Sequence, residues 1–228
     1  MVKAVDKTEA FEVVPFTVVI DTNEGAPYQF TGILGRSKNG VKLPQVIRTV
    51  KKPMWAMGRQ EFGVGLADYS IDGLETEIQI ERKSISDLFG TLGGRRQNFE
   101  NEIARMSEQC KVAYVMIEGS YGHIASFRDH GPEPSSVIGT MVSWGQKYRN
   151  VHWITAGSRD MAERLTFRML ESFWIHREAE IKKAAKQSKL TDSSQTEGST
   201  GNDCANIEEE AKPGNQMGRN QPAGSGCD

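Results

Sequence analysis

Short apolar runs bounded by turn residues recur in the first part of the chain and predict β-strands. Residues 16–20 (FTVVI) are rich in β-branched side chains and end at Asp21, after which Asn, Gly and Pro interrupt the pattern. Further strands are predicted over residues 46–50, 62–66 and 78–82. A turn containing Asp72 and Gly73 precedes the last of these, which indicates a hairpin or meander.

Helical periodicity begins directly after the strand at 78–82. Ser84 is a suitable N-cap for one helix, which the Gly93 and Gly94 pair ends. A second helix is predicted from about residue 95 to residue 109, with an apolar stripe at Phe99, Ile103 and Met106. The remaining pattern predicts strands at 112–117 and 151–155 and helices at 136–147 and from 158 through 174. The alternation favours an α/β fold with a mixed β-sheet flanked by helices.

The sequence changes character near residue 187. No Phe, Trp or Tyr follows Trp174, and Ser, Thr, Gly, Asn, Gln and Glu dominate from Gln187 onward. Such a composition cannot bury enough apolar surface to offset the entropic cost of ordering. We therefore expect an N-terminal extension over residues 1–15, one globular domain over 16–186 and a disordered C-terminal tail over 187–228.

Composition excludes several classes of protein. The chain is 37% hydrophobic and 25% charged, with a mean hydropathy of -0.51. No stretch is apolar over the roughly 20 residues that a spanning helix needs, and the N-terminus does not resemble a signal peptide. We expect a cytoplasmic protein without membrane association. The three cysteines show no CxxC spacing, which argues against a disulfide framework or a zinc knuckle.

The positive charges are unevenly distributed along the chain. The net charge of -2 does not favour non-specific binding to nucleic acid. However, no acid lies between Glu24 and Glu61, a segment that contains seven cations. These are Arg36, Lys38, Lys42, Arg48, Lys51, Lys52 and Arg59. Such a run is typical of a solvated strand face or of a phosphate-binding surface.

Residues 66–90 (LADYSIDGLETEIQIERKSISDLFG) carry the candidate chemistry. Successive side chains of a strand point to opposite faces, so Glu81 and Lys83 should share one face while Arg82 points away. Glu81 could hold a cation, and Lys83 could orient a water or balance charge on a phosphate. Asp68 is the candidate second ligand, since Mg²⁺ keeps several waters and needs few carboxylates.

Whether Asp68 reaches Glu81 depends on the turn between them. A hairpin centred between Leu74 and Glu75 places Asp68 opposite Glu81. A tight turn centred on residues 72–73 places Asp68 opposite Glu77 instead. The sequence leaves both registers open.

Asp87 follows Ser84 by one helical turn and has two interpretations. It could face the strand end and hold Lys83 or a water bound to the cation. It could also be a first-turn acid that complements the helix dipole.

The residues Ala67-Asp68, Glu81-Arg82-Lys83 and Asp87 together resemble the motif G-D-x(n)-E-R-K-x-x-x-D. This motif is typical of XPF-type nucleases, the ERCC4-domain branch of the PD-(D/E)XK superfamily. Residues 18–24 (VVIDTNE) are similar to the family's first strand, which ends in D-x-R-E, and Arg96 falls where the family has an arginine. The likeness extends over roughly residues 16–175 and includes single-domain bacterial and phage members.

The resemblance implies a restriction-endonuclease-like fold and a Mg²⁺- or Mn²⁺-dependent endonuclease. Its substrate would be branched double-stranded DNA (flap, fork or junction) in repair, recombination or phage DNA metabolism. The implied catalytic residues are Asp68, Glu81, Lys83, Asp21 and Asp87. Of these, Asp68, Glu81 and Asp21 would hold the metal. Supporting roles fall to Glu24, Arg82 and Arg96, and DNA contacts to Arg48, Lys51, Lys52, Arg59 and Arg95.

The sequence departs from the family pattern at Ala67, which replaces a glycine, and at Asn23, which replaces an arginine. A glycine permits backbone angles that Ala67 resists, and Asn23 lacks the bidentate donor of an arginine.

Other interpretations remain open. A catalytically silent DNA-binding scaffold would keep the same fold, and a restriction or junction-resolving nuclease of the wider superfamily would keep the same site. A homodimer is a further expectation. Its interface could include the apolar positions Met161, Leu165, Met169, Phe173 and Trp174, which could equally be ordinary core.

Overall fold

The computed structural model describes residues 11–36, 42–54 and 67–196, and the side chains as far as residue 188. The predicted strand at 62–66 and the candidate DNA contact Arg59 lie outside these ranges. The chain divides into two compact units, Met1–Lys182 and Lys183–Asp228. In the second unit only a helical segment that ends at Thr196 is described.

The first unit is built on one six-stranded mixed sheet of order β2-β1-β3-β4-β5-β6. Its strands are β1 (Glu12–Asp21), β2 (Gln45–Lys52), β3 (Tyr69–Ile71), β4 (Ile78–Lys83), β5 (Val112–Ile117) and β6 (Val151–Thr155). Only β3 runs antiparallel to its neighbours, β1 and β4. The strands β1 and β4 are therefore parallel to each other, and their carboxyl ends meet at the same edge of the sheet.

Helices cover both faces of the sheet. They are α1 (Ile85–Gly94), α2 (Arg96–Gln109), α3 (Tyr121–Ser126), α4 (Pro134–Lys147) and α5 (Arg159–Thr196). Buried residues of α1 to α4 form one core with Val115 and Ile117 of β5, whereas α5 packs on the other face with Met116. Burial on both faces explains why β5 is a continuous apolar run. The predicted α/β fold with a mixed sheet and flanking helices is confirmed.

Two boundaries differ from the prediction. Strand β1 begins at Glu12, inside the predicted N-terminal extension, and its pairing with β2 is irregular between Val13 and Thr17. Pro15 lies in this irregular stretch, where a missing backbone donor is tolerated. Helix α5 runs past residue 187, the predicted start of the tail. The Lys, Glu and Ala residues just before residue 187 favour a helix, and no Gly or Pro interrupts the chain between Arg159 and Gly198. The rest of the predicted tail lies outside the described residues.

Most of the apolar positions suggested for a dimer interface contribute to the core. Leu165, Met169, Phe173 and Trp174 are partly buried against the core on the α5 face, while Met161 is exposed. The homodimer stays a prediction. Within the described ranges, none of the helices combines the length and the apolar character that crossing a membrane requires.

Candidate active site

Asp68, which directly precedes β3, lies opposite Glu81 of the adjacent strand β4. The register pairs Tyr69 of β3 with Ile80 of β4, which places the preceding Asp68 across from Glu81. The connecting turn is wide rather than tight, with backbone hydrogen bonds from Leu74 N to Ile71 O (2.9 Å) and from Glu77 N to Leu74 O (2.8 Å). Of the two registers that the sequence left open, the hairpin centred between residues 74 and 75 is confirmed.

The Asp68 carboxylate is held by the backbone of β4. Its Oδ2 accepts a hydrogen bond from Arg82 N at 2.8 Å. Burial and the neighbouring Glu81 carboxylate raise the pKa of Asp68 well above its usual range, although Lys83 and the Arg82 amide partly offset this. The negative charge of Asp68 is thus poorly compensated, and a cation at this position would stabilise it.

Lys83 shares one face of β4 with Glu81, as the strand period predicts. Its Nζ lies 2.5 Å from Oε1 of Glu81 and 4.9 Å from the ring centroid of Phe99. Burial alone would lower the pKa of Lys83, but the carboxylates of Glu81, Glu102 and Asp68 outweigh burial and raise it. Lys83 is therefore positively charged at neutral pH and lies on the same face of β4 as Glu81.

Asp21 ends β1 beside this pair. Its backbone N donates to Asp68 O at 2.8 Å, which connects the two acids through the main chain. Its own carboxylate accepts from Met54 N at 2.9 Å and from Asn23 N at 3.3 Å. Asp21 is only 5% exposed, so these amides are the contacts that stabilise its charge. Its predicted role as a third metal ligand stays a prediction.

The carboxylates at this site fit a hard divalent cation that takes only a few of its ligands from the protein. In the ranges that the structure describes, no three His, Cys, Asp or Glu side chains gather closely enough to hold a metal by themselves. Asp68 and Glu81 nevertheless offer two carboxylates at one point. Mg²⁺ is often bound by one or two carboxylates and completes its shell with water, so this pair is compatible with it.

Arg82 points to the opposite face of the sheet from Glu81 and Lys83. Its Nε and Nη2 donate to the Glu118 carboxylate at 2.8 and 3.2 Å, and its Nη1 donates to Glu24 at 3.2 Å. Burial acts to lower the pKa of Arg82, but Glu118 and Glu24 outweigh it and the pKa is raised. Glu24 and Arg82 therefore meet on the α5 side of the sheet, and their supporting role stays a prediction.

Two other predicted residues make contacts within the helical layer. Asp87 is exposed, and its Oδ2 accepts from Ser84 Oγ at 2.7 Å while its N donates to Ser84 Oγ at 3.1 Å. These contacts favour the interpretation of Asp87 as a first-turn acid of α1, whose N-cap is Ser84. Arg96 donates to Thr140 Oγ1 at 2.8 Å and its guanidinium lies 5.1 Å from the ring centroid of Trp144, so it ties α2 to α4.

The candidate DNA contacts separate into two groups. Arg48 and Lys51 on the edge strand β2 and Arg95 before α2 are exposed. Lys52 instead forms ion pairs with Asp72 and with Glu75, the latter at 2.7 Å. Lys52 therefore has a structural role, whereas Arg48 and Lys51 show no ion pair within the described part of the chain.

Glu102 and Arg105 of α2 belong to the site, although neither was predicted. Burial, together with the Glu81 carboxylate, raises the pKa of Glu102 to about 8. The side chains of Glu102 and Glu81 also share a hydrogen bond. Arg105 is buried, and its Nε and Nη1 have no hydrogen-bond partner among the described residues. The available signal was position: Glu102 lies one turn after Phe99 and next to Ile103, at the margin of the apolar stripe.

The mixed sheet with flanking helices, and the acids and lysine at its carboxyl edge, define the restriction-endonuclease-like class of domain. Within this class the family is clear. The sequence model of the ERCC4 domain matches residues 20–169, which include Asp21, Asp68, Glu81 and Lys83. The chain belongs to the ERCC4 domain family, which confirms the resemblance to XPF-type nucleases.

Two solved structures of XPF from Aeropyrum pernix are similar to this chain. The first is 15% identical with a TM-score of 0.44, covering 68% of this chain and 58% of that chain. The second, in complex with DNA, is 14% identical with a TM-score of 0.47, covering 71% of this chain and 66% of that chain. This chain thus spans about three fifths to two thirds of the XPF chains it matches. Comparison with curated proteins gives no significant match.

Proposed function

We propose that this protein is a divalent-metal-dependent endodeoxyribonuclease that hydrolyses phosphodiester bonds in branched DNA. The observation that carries the proposal is the placement of Asp68 directly opposite Glu81, with the Lys83 ammonium beside them. An acid pair and a lysine on one strand face form a site that can bind a cation and a phosphate together. Membership of the ERCC4 domain family supports the same reaction.

Asp68 and Glu81 would hold the cation, with Mg²⁺ or Mn²⁺ the expected ions. Such an ion, when bound, supplies charge for the phosphoryl oxygen and makes water a better nucleophile. The Arg82 amide keeps Asp68 turned toward Glu81. Lys83 would leave Glu81 when the cation binds, and its ammonium would then stabilise the negative charge that the phosphate gathers in the transition state.

The proposal that the DNA substrate is branched rests on the family. The described residues show no feature that distinguishes a flap from a fork or a junction. Exposed Arg48 and Lys51 on β2 and Arg95 before α2 would contact the sugar-phosphate backbone, which orients DNA without reading its sequence.

The test is cleavage of end-labelled linear, splayed, flap and four-way DNA by the purified full chain with Mg²⁺, with Mn²⁺ or with EDTA. We expect cutting of at least one branched substrate that requires the metal. Metal-dependent cutting of linear duplex at a fixed sequence would favour a restriction nuclease. A folded protein that binds these DNAs without cutting any of them would be a silent scaffold, and the proposal would be wrong.

A further inference from the structure

A network of four charged side chains lies on the α5 face of the sheet, behind the proposed catalytic residues. Its members are Glu24, Arg82, Glu118 and Arg159, which we call the Arg82–Arg159 network. Arg82 donates to both acids, and Arg159 Nη1 donates to Glu118 Oε1 at 2.7 Å. The Glu118 carboxylate thus accepts from both arginines. The proposed hydrolysis gives no role to Glu118 or to Arg159.

The network joins segments that are distant in the sequence. Glu24 lies in the loop after β1, Arg82 in β4, Glu118 directly after β5, and Arg159 at the first residue of α5. Arg159 also donates through Nη2 to the backbone carbonyl of Ala26, at 2.5 Å. Glu24 accepts from the Ala26 amide at 2.7 Å. The loop after β1 is therefore held to α5 and to β4 by the same charged groups.

The aromatic ring of Tyr28 supports the network from one side. The guanidinium carbons of Arg159 and Arg82 lie 5.0 and 5.9 Å from its ring centroid, within the range of cation–π attraction. The Tyr28 backbone N donates to the hydroxyl of Tyr69 at 2.9 Å. Since Tyr69 follows Asp68 in the chain, the support reaches the residue next to the proposed metal ligand.

Burial makes each charge of the network dependent on the others. The side chains of Glu24, Arg82 and Glu118 are 6%, 12% and 8% exposed, whereas that of Arg159 is 40% exposed. Two positive and two negative groups balance one another. Removal of one partner from a buried pair leaves the other charge uncompensated, and the local structure must then rearrange.

Arg82 transmits this arrangement to the proposed catalytic face. Its side chain is fixed in the network, while its backbone N donates to Asp68 Oδ2 on the opposite face. Its sequence neighbours are Glu81 and Lys83. A shift of the Arg82 side chain therefore moves the Arg82 amide that holds Asp68. It also moves Glu81 and Lys83, which are next to Arg82 in the chain.

We propose that Glu118 and Arg159 are positioning residues for the hydrolytic site. They act through Arg82 and through the loop after β1, and they touch neither the cation nor the phosphate. This inference rests on the proposed nuclease function for its effect on cleavage, but its structural part, control of the Arg82 amide, can be measured independently.

The test compares Arg159→Met with Arg177→Met in the full chain. Arg177 is a matched control: it lies on the same helix, is 30% exposed and pairs with Glu77 at the other end of β4, at 3.3 Å. Amide hydrogen exchange in EDTA reports the contact between Arg82 N and Asp68 directly. We expect faster exchange at Arg82 and Ala26 in Arg159→Met and unchanged exchange at both amides in Arg177→Met.

Cleavage kinetics form the second readout. We expect Arg159→Met to lower kcat by about tenfold with little change in KM for DNA, because a misplaced catalytic group affects the chemical step. Arg159→Lys keeps the charge but lacks the two separate Nη donors that reach Glu118 and the Ala26 carbonyl, so its kcat should fall between those of Arg159→Met and the wild type. Arg177→Met should cleave like the wild type.

The outcomes separate the two proposals. Faster exchange at Arg82 in a protein that cuts no DNA would support the network and refute the nuclease. Unchanged exchange at Arg82 in Arg159→Met would overturn the positioning role, whatever the cleavage rate. So would an equal loss of kcat in Arg159→Met and Arg177→Met, since that result would reflect general destabilisation.

Discussion

The ammonium of Lys83 lies 2.5 Å from Oε1 of Glu81, so the lysine neutralises one of the carboxylates that we propose to bind the cation. Both side chains are largely buried, at 15% and 6% exposed. A cation that binds Oε1 of Glu81 must therefore displace Lys83 from that oxygen. The same displacement would free the ammonium to contact a phosphate. Cation binding would therefore make Lys83 available for the reaction.

Replacement of Lys83 by Met tests this competition. We expect cleavage to fall by about a hundredfold or more, because a positive charge is lost from the transition state. We expect Mn²⁺ to bind about threefold to tenfold more tightly, because the Lys83 ammonium no longer competes for Glu81. Titration calorimetry with Mn²⁺ and a single-turnover cleavage assay measure the two effects.

Lys111→Met is the control for Lys83→Met, since Lys111 pairs with Glu77 at the other end of β4 and is exposed. It should change neither quantity. Weaker Mn²⁺ binding in Lys83→Met would contradict the account, because it would mean that the lysine assists the cation rather than competing with it.

Glu102 provides a pH-dependent prediction. Burial and Glu81 raise the pKa of Glu102 from 4.5 to about 8, so between these values the folded protein binds more protons than the unfolded chain. Stability should therefore decrease as the pH rises through this window. Glu102→Gln removes the titrating group, and we expect it to raise the urea midpoint relative to wild type more at pH 8 than at pH 5.

The control for this effect is Glu100→Gln on the same helix. Its hydrogen bond with Lys147 lowers the pKa of Glu100, so its ionised form is favoured in the fold. Glu100→Gln should not raise the urea midpoint at pH 8. A Glu102→Gln variant whose midpoint differs from wild type equally at both pH values would show that Glu102 does not titrate in this window.

Much of the fold could be predicted because local patterns and tertiary structure agree. Residues 151–155 form β6 as predicted, and Ser84 caps α1 through the Asp87 amide. The pairing of Asp68 with Glu81 could not be settled from the sequence. It depends on a wide turn in which Leu74 is buried, and burial of one turn residue is a tertiary effect.

The contacts of the site were harder to predict than its residues. Alternation along β4 correctly separated Arg82 from Glu81 and Lys83. Glu118 meets Arg82, and Arg159 meets Glu118, only because β5 and α5 pack beside β4, and no spacing along the chain reports such proximity. Glu102 was missed for the same reason, since its partner Glu81 lies on another element.

Exposed cations of β2 should bind DNA, whereas Lys52 should stabilise the fold. Each phosphate contact contributes about 0.9 to the slope of log K against log salt concentration for duplex DNA. We expect Arg48→Ala and Lys51→Ala each to reduce this slope by about 1. Lys52→Met should leave the slope unchanged and lower stability, because it leaves Glu75 without its ion pair. Fluorescence anisotropy across a salt series and urea unfolding measure both; an unchanged slope in Lys51→Ala would exclude Lys51 from the interface.

The backbone conformation at position 131 requires a glycine. Its φ is +89°, and a Cβ at this position would lie 2.7 Å from the backbone O of Phe89 in α1. We expect Gly131→Ala to destabilise the protein by about 1–3 kcal/mol. Gly139→Ala, exposed within α4 with open space around it, should instead stabilise by about 0.5–1 kcal/mol. Urea unfolding of the two variants checks these signs, and a stable Gly131→Ala protein would refute the close contact.

Single-turnover cleavage of an end-labelled DNA flap by wild type, Asp68→Asn and Asp72→Asn tests whether Asp68 and Glu81 form a cation site for hydrolysis. Asp72 is the matched control, because it follows β3 at the other end and pairs with Lys52. We predict that wild type and Asp72→Asn cut only with Mg²⁺ or Mn²⁺, and that Asp68→Asn binds DNA but cuts about a hundredfold more slowly or not at all. Equal cleavage by Asp68→Asn, or cleavage that persists in EDTA, would contradict a cation site formed by Asp68 and Glu81.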